Sequence, residues 1–114
     1  MKYGGKQSVK NIPELFRERV KLSYGKLAYR YKSQDVWRNV TWGEFGKYVD
    51  SLTMFLIKNG LNKGDKISIL SDTRPEWCIA DMAILSSGAT TVGLYPTLSS
   101  SQIEYILNHS DSKM

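Results

Sequence analysis

The segment GDKISILSDTRPEWCIADMAILSSGATTVGLYPT, Gly64 to Thr97, carries strand, turn, helix and strand in one uninterrupted unit. Lys66 to Leu70 is short and rich in β-branched residues. Pro75 opens an apolar run that closes at Gly88, and a second β-rich run, Thr90 to Tyr95, follows at once. That order predicts a βαβ crossover, which places two parallel strands in one sheet. Parallel sheets are covered on both faces and belong mostly to α/β enzymes. The helix carries Trp77, Ile79, Ala80, Met82, Ala83, Ile84 and Leu85, with Asp81 its lone interior charge. Apolar side chains lie almost all round it, so it is predicted to be buried on most sides. Cys78 sits in this run and reads as a small core hydrophobe, since a catalytic thiol needs a basic or exposed setting.

Working back from this unit, Asn59-Gly60 closes an earlier helix, with Gly60 free to take the left-handed cap conformation. That helix carries Phe45, Tyr48, Val49, Leu52, Phe55 and Leu56 on one stripe. Thr41-Trp42-Gly43-Glu44 opens it as a capping box. Before it, Leu27 to Lys32 and Val36 to Thr41 alternate around the turn-like Ser33-Gln34-Asp35, which predicts an antiparallel hairpin. Leu27, Tyr29 and Tyr31 should share one face, and Ala28, Arg30 and Lys32 the other. Asn11 and Pro13 start a short amphipathic helix that uses Leu15, Phe16, Val20 and Leu22 and ends before Gly25. Residues 1–10 are polar and read as a flexible arm. On the other side, Ser99 or Ser101 caps a last helix, with Ile103, Tyr105, Ile106 and Leu107 on its inner side. Ser110 to Met114 reads as a turn with nothing after it.

At 114 residues the chain makes one domain at most, long enough for a real core. Hydrophobic content of 41% and aromatic content of 11% fit a globular chain. The net charge of +5 is spread along the sequence and reads as solvated faces. A diffuse positive field for anionic substrates is the lesser alternative. One cysteine excludes an internal disulfide. Two glycosylation patterns, at Asn39 and Asn108, follow no secretory segment and read as chance. No apolar run approaches the roughly 20 residues of a membrane span, so the expected location is cytoplasmic.

Candidate chemistry is sparse. Ser87-Gly88-Ala89-Thr90-Thr91 has the composition of a phosphate loop. It brings no lysine, however, and its glycine follows a helix, whereas anion sites use helix N-termini. It is therefore expected to be a helix cap and the start of a strand. Gly60 and Gly64 before Lys66 miss the phosphate-loop spacing by one. His109 is expected to act as a partner of a helix C-terminus. Asp72 and Glu76 bracket Arg74 as a local charge cluster. One histidine and one cysteine cannot build a usual zinc set. Tyr29, Tyr31 and Trp37 with Arg30, Lys32 and Arg38 could bind single-stranded nucleic acid. The alternation argues instead that the tyrosines pack in the core.

"TWGEF", "NGLNKGDKISILSDTRPEW", "ADMAILSSGATTVGLYPT" and "SSSQIEYILNHSDSK" resemble, in order and spacing, the N-terminal part of AMP-forming acyl-CoA synthetases of the adenylate-forming superfamily. The "RPEW" and "LYPT" forms are most similar to long-chain fatty-acid–CoA ligases. The resemblance covers residues 12–114. It implies a two-step reaction: a fatty-acid carboxylate attacks the α-phosphate of Mg-ATP, releasing pyrophosphate, and the thiol of CoA then displaces AMP. It implies ATP, Mg2+ and CoA for a parent enzyme and none of them for this segment. The family's phosphate loop with Pro-Lys-Gly, its nucleotide site and its catalytic lysine match no position here. No catalytic, cofactor-binding or metal residue is therefore assigned.

The expectation is an α/β piece: an antiparallel hairpin, then a βαβ unit with packing helices. Residues 11–114 would be an incomplete N-terminal portion of an AMP-binding domain in a much longer enzyme. That portion would support the fold, with the rest of the enzyme as its partner and without activity alone. A dimerisation module is the first alternative and a single-strand nucleic-acid binder the second. No transmembrane segment is expected, and a peripheral membrane contact is possible.

Overall fold

The computed structural model describes residues 10–114 and, of the first nine, the backbone of Lys2–Tyr3 (β1) and Gln7–Ser8 (β2), which pair antiparallel. The rest of the arm expected over residues 1–10 lies outside the described residues. Two compact units divide the chain, residues 1–50 and 51–114.

In the first unit, α1 spans Ile12–Leu22. Asn11 caps it by accepting the Glu14 N–H at 2.9 Å, and Pro13 fits the first turn. Phe16 is its buried anchor, whereas Leu22 is exposed. The strands β3 (Leu27–Ser33) and β4 (Val36–Thr41) form the expected hairpin. Gln34 and Asp35 both take positive φ, 51° and 62°, as the tight primed hairpin turn demands. A register shift between Leu27 and Tyr29 interrupts the expected alternation. This bulge takes Leu27 out of the tyrosine face and leaves it exposed. The Phe16 ring stands edge-on to Phe45 at 4.9 Å, and Tyr29 meets Phe45 at 5.3 Å.

The helix α2, Trp42–Lys58, begins in the first unit and ends in the second. Its capping box is present: the Thr41 hydroxyl accepts the Glu44 N–H, and Glu44 accepts the Thr41 N–H at 3.0 Å. Phe45, Val49 and Leu56 of the expected stripe are buried, but Tyr48 and Phe55 are exposed. The buried stripe is thus narrower than the apolar one, and Thr53 joins it by donating to the Ala83 carbonyl.

In the second unit, β5 (Lys66–Leu70), α3 (Pro75–Ser86) and β6 (Thr90–Leu94) form the βαβ crossover. β5 and β6 are parallel, in register from Lys66↔Thr90 to Leu70↔Leu94. Ile67, Ala83, Ile84, Ala89 and Leu94 are buried in this unit. Burial of α3 is confined to Ala83 and Ile84, with Trp77, Ile79, Met82 and Leu85 partly covered. The expectation of burial on most sides is corrected: a short parallel pair can cover only one side of a helix. Cys78 falls on the open side and is exposed, not in the core.

The last helix, α4, spans Ser100–Ser110, with Ser99 and Gln102 forming a second capping box. Tyr105 and Leu107 are exposed, so only Ile103 and Ile106 of the expected inner side are partly covered. The terminal residues do more than turn. Lys113 N–H donates to the Lys66 carbonyl at 2.7 Å and Ser68 N–H to the Met114 carbonyl at 2.8 Å, which lays the tail beside β5. The Lys113 ammonium also bonds Asp65 and the Gly60 carbonyl. No helix among the described residues is long and apolar enough to cross a membrane.

Candidate functional site

Parallel strands in α/β proteins open a crevice beyond their carboxyl ends, where ligands bind. The βαβ unit has such a crevice, of about 330 Å³. Ser71, Asp72 and Thr73 line it where the chain leaves β5, Leu94, Tyr95 and Pro96 where it leaves β6, and Trp77 from the first turn of α3. The Ser71 hydroxyl donates to the Asp72 carbonyl at 2.9 Å and so fixes the turn. Gly93 faces the indole: a Cβ built there stands 3.7 Å from Trp77 Cζ2, an ordinary contact. Alanine therefore fits at this position, and only a longer side chain would press on the indole.

The site combines an indole and apolar strand ends with hydroxyls and one carboxylate. It can seat an apolar or aromatic group. Arg74 pairs with Glu76 at 3.3 Å, both largely exposed, so the pair contributes little. The βαβ pattern itself marks this crevice, because it fixes where two parallel strands end. The residue types there carry no signal of their own.

The phosphate-loop alternative fails on hydrogen bonding. Ser87 N–H donates to the Ala83 and Ile84 carbonyls, Gly88 N–H to Leu85, Ala89 N–H to Ile84 and Thr90 N–H to Asp65. These donors are all used within the fold, so none is left to cradle a phosphate. Gly88, at φ +84°, is the left-handed residue that ends α3, and Thr90 and Thr91 begin β6. Gly60 and Gly64, at φ +95° and +89°, serve as turns. His109 lies in the last turn of α4, its ring stacked on Tyr105 at 5.5 Å. Among the described residues, no cluster of three or more His, Cys, Asp or Glu could hold a metal ion.

Among the described residues, two carboxylates are shifted by hydrogen bonds within the fold. The Thr41 backbone N–H and hydroxyl hold the Glu44 carboxyl below its ordinary pKa. The Asn62 N–H and the Lys113 ammonium do the same for Asp65.

The mixed α/β arrangement recurs in solved structures. The N-terminal subdomain of NpsA from Klebsiella oxytoca superposes with a TM-score of 0.82 at 24% identity, covering 91% of this chain and 26% of that one. IdnL1 superposes with a TM-score of 0.85 at 20% identity, covering 94% and 22%. At these identities the likeness speaks for the fold alone.

Sequence carries the family. The model described as AMP-binding enzyme matches residues 16–114, and the chain belongs to that family. Fatty acyl-CoA synthetase A of Dictyostelium discoideum is 50% identical over 56 residues, 49% of this chain and 8% of that protein. The long-chain fatty-acid–CoA ligase FadD15 of Mycobacterium tuberculosis is 38% identical over 84 residues, 74% of this chain and 14% of that protein. The chain thus spans a small part of the length of the curated relatives it matches.

Proposed function

We propose that the chain is the N-terminal part of the AMP-binding domain of an ATP-dependent, cytoplasmic long-chain fatty-acid–CoA ligase. The observation that carries this reading is the 38% identity to a long-chain ligase across 74% of the chain, in the order of its elements. The whole enzyme would join a fatty-acid carboxylate to the α-phosphate of ATP with release of pyrophosphate, and the thiol of CoA would then take the acyl group with release of AMP.

The loop amides of Ser87–Thr90 are spent within the fold, so this loop is not the one that would cradle the phosphates of ATP. The chain's own role is architectural. Its parallel pair and α3 build a crevice whose Trp77, Leu94 and Pro96 suit an apolar group. Incubated alone with palmitate and Mg-ATP, the 114-residue chain should release no fatty-acid-dependent pyrophosphate. Release above the blank would contradict this division of labour.

A further inference from the structure

The β3–β4 hairpin presents two faces of different character. Residues directly opposite in an antiparallel pair share a face. Tyr29↔Val40 and Tyr31↔Arg38 therefore lie on one face, and Arg30↔Asn39 and Lys32↔Trp37 on the other. The first face packs inward through buried Val40 and the Tyr29 contact with Phe45. The second is open: Arg30, Lys32 and Asn39 are exposed, and Trp37 is 64% exposed. Val36, beside the turn, is 53% exposed. From Lys26 to Thr41 the chain carries four basic side chains, Lys26, Arg30, Lys32 and Arg38, against the single acid Asp35. All four basic residues are exposed. Those off the open face still contribute, because charge acts over a Debye length of about 8–10 Å.

We propose that this face docks on an anionic membrane surface, with Trp37 seated at the headgroup level and the basic side chains over the phosphates. Tryptophan suits that level because its ring is apolar and its N–H polar. The basic residues add attraction to anionic lipid, each worth about fivefold in partitioning. Single-stranded nucleic acid has the same charge, but the placement of the aromatics disfavours it. Stacking platforms present successive aromatics on the basic face. Tyr29 and Tyr31 lie on the opposite face, which leaves Trp37 as the one aromatic here among the described residues. A membrane also holds long acyl chains. That last support rests on the ligase reading; the charge and the aromatic placement do not.

The test is cosedimentation of the 114-residue chain with phosphatidylcholine vesicles, with and without phosphatidylserine, in the absence of ATP and fatty acid. Binding to the phosphatidylserine vesicles is expected. Trp37→Ala should weaken it on the order of tenfold, from lost apolar burial. Arg30→Ala with Lys32→Ala should weaken it about thirtyfold, while Arg30→Lys with Lys32→Arg keeps it. The altered side chains are exposed, and circular dichroism confirms the fold of each variant. Failure to bind anionic vesicles overturns the proposal, as does equal binding by the alanine variants. Salt-sensitive capture of oligothymidylate without vesicle binding overturns it too. Failure here leaves the ligase reading standing, and absent ligase activity leaves vesicle binding measurable.

Discussion

Glu44 shows how much a single side chain does in this chain. Its carboxylate accepts both the N–H and the hydroxyl of Thr41 and so closes the start of α2. Those bonds favour the charged form, and the folded pKa lies below the unfolded one. The sign follows from linkage. The contribution is complete above the unfolded carboxylate pKa and is lost as pH falls through the lower folded value. Urea unfolding across the acid range should therefore show a stability slope that Glu44→Gln makes shallower. An unchanged slope would remove the cap from the account. Cys78 offers a second check at this scale. Because it is exposed on α3, it should react fully with a thiol reagent in the native chain. Slow reaction, released only by denaturant, would return it to the core.

At the scale of elements, periodicity made the hairpin, α2 and the βαβ unit legible, because alternation and capping residues are local signals. Which face of α3 is buried was not legible. Apolar residues surround that helix, so its pattern points nowhere, and packing alone chooses Ala83 and Ile84. The bulge at Leu27 and the pairing of the tail with β5 were also hidden, since backbone hydrogen bonds leave no mark on side-chain choice. The junction between α3 and β6 was readable because glycine stands where the chain must turn. Gly88 has φ +84°, and a Cβ there would lie 3.2 Å from Lys63 Cγ. Gly88→Ala should cost about 1–2 kcal/mol, read by denaturant unfolding. A neutral substitution would show that this junction relaxes freely.

At the scale of the molecule, the order of elements carries more information than any residue type. The quoted segments, in their order along the chain, identify the AMP-binding enzyme family over residues 16–114. The crevice beyond β5 and β6 follows from that order as well. The central claim is that this chain can serve as the N-terminal portion of a long-chain fatty-acid–CoA ligase. The most direct test is palmitate-dependent pyrophosphate release by a chimera of the Mycobacterium tuberculosis ligase. In it, the 84 matched residues of this chain replace their counterparts. The account predicts activity within about tenfold of the parent, a barrier change of about 1.4 kcal/mol or less. A soluble, folded chimera that releases no pyrophosphate would contradict it.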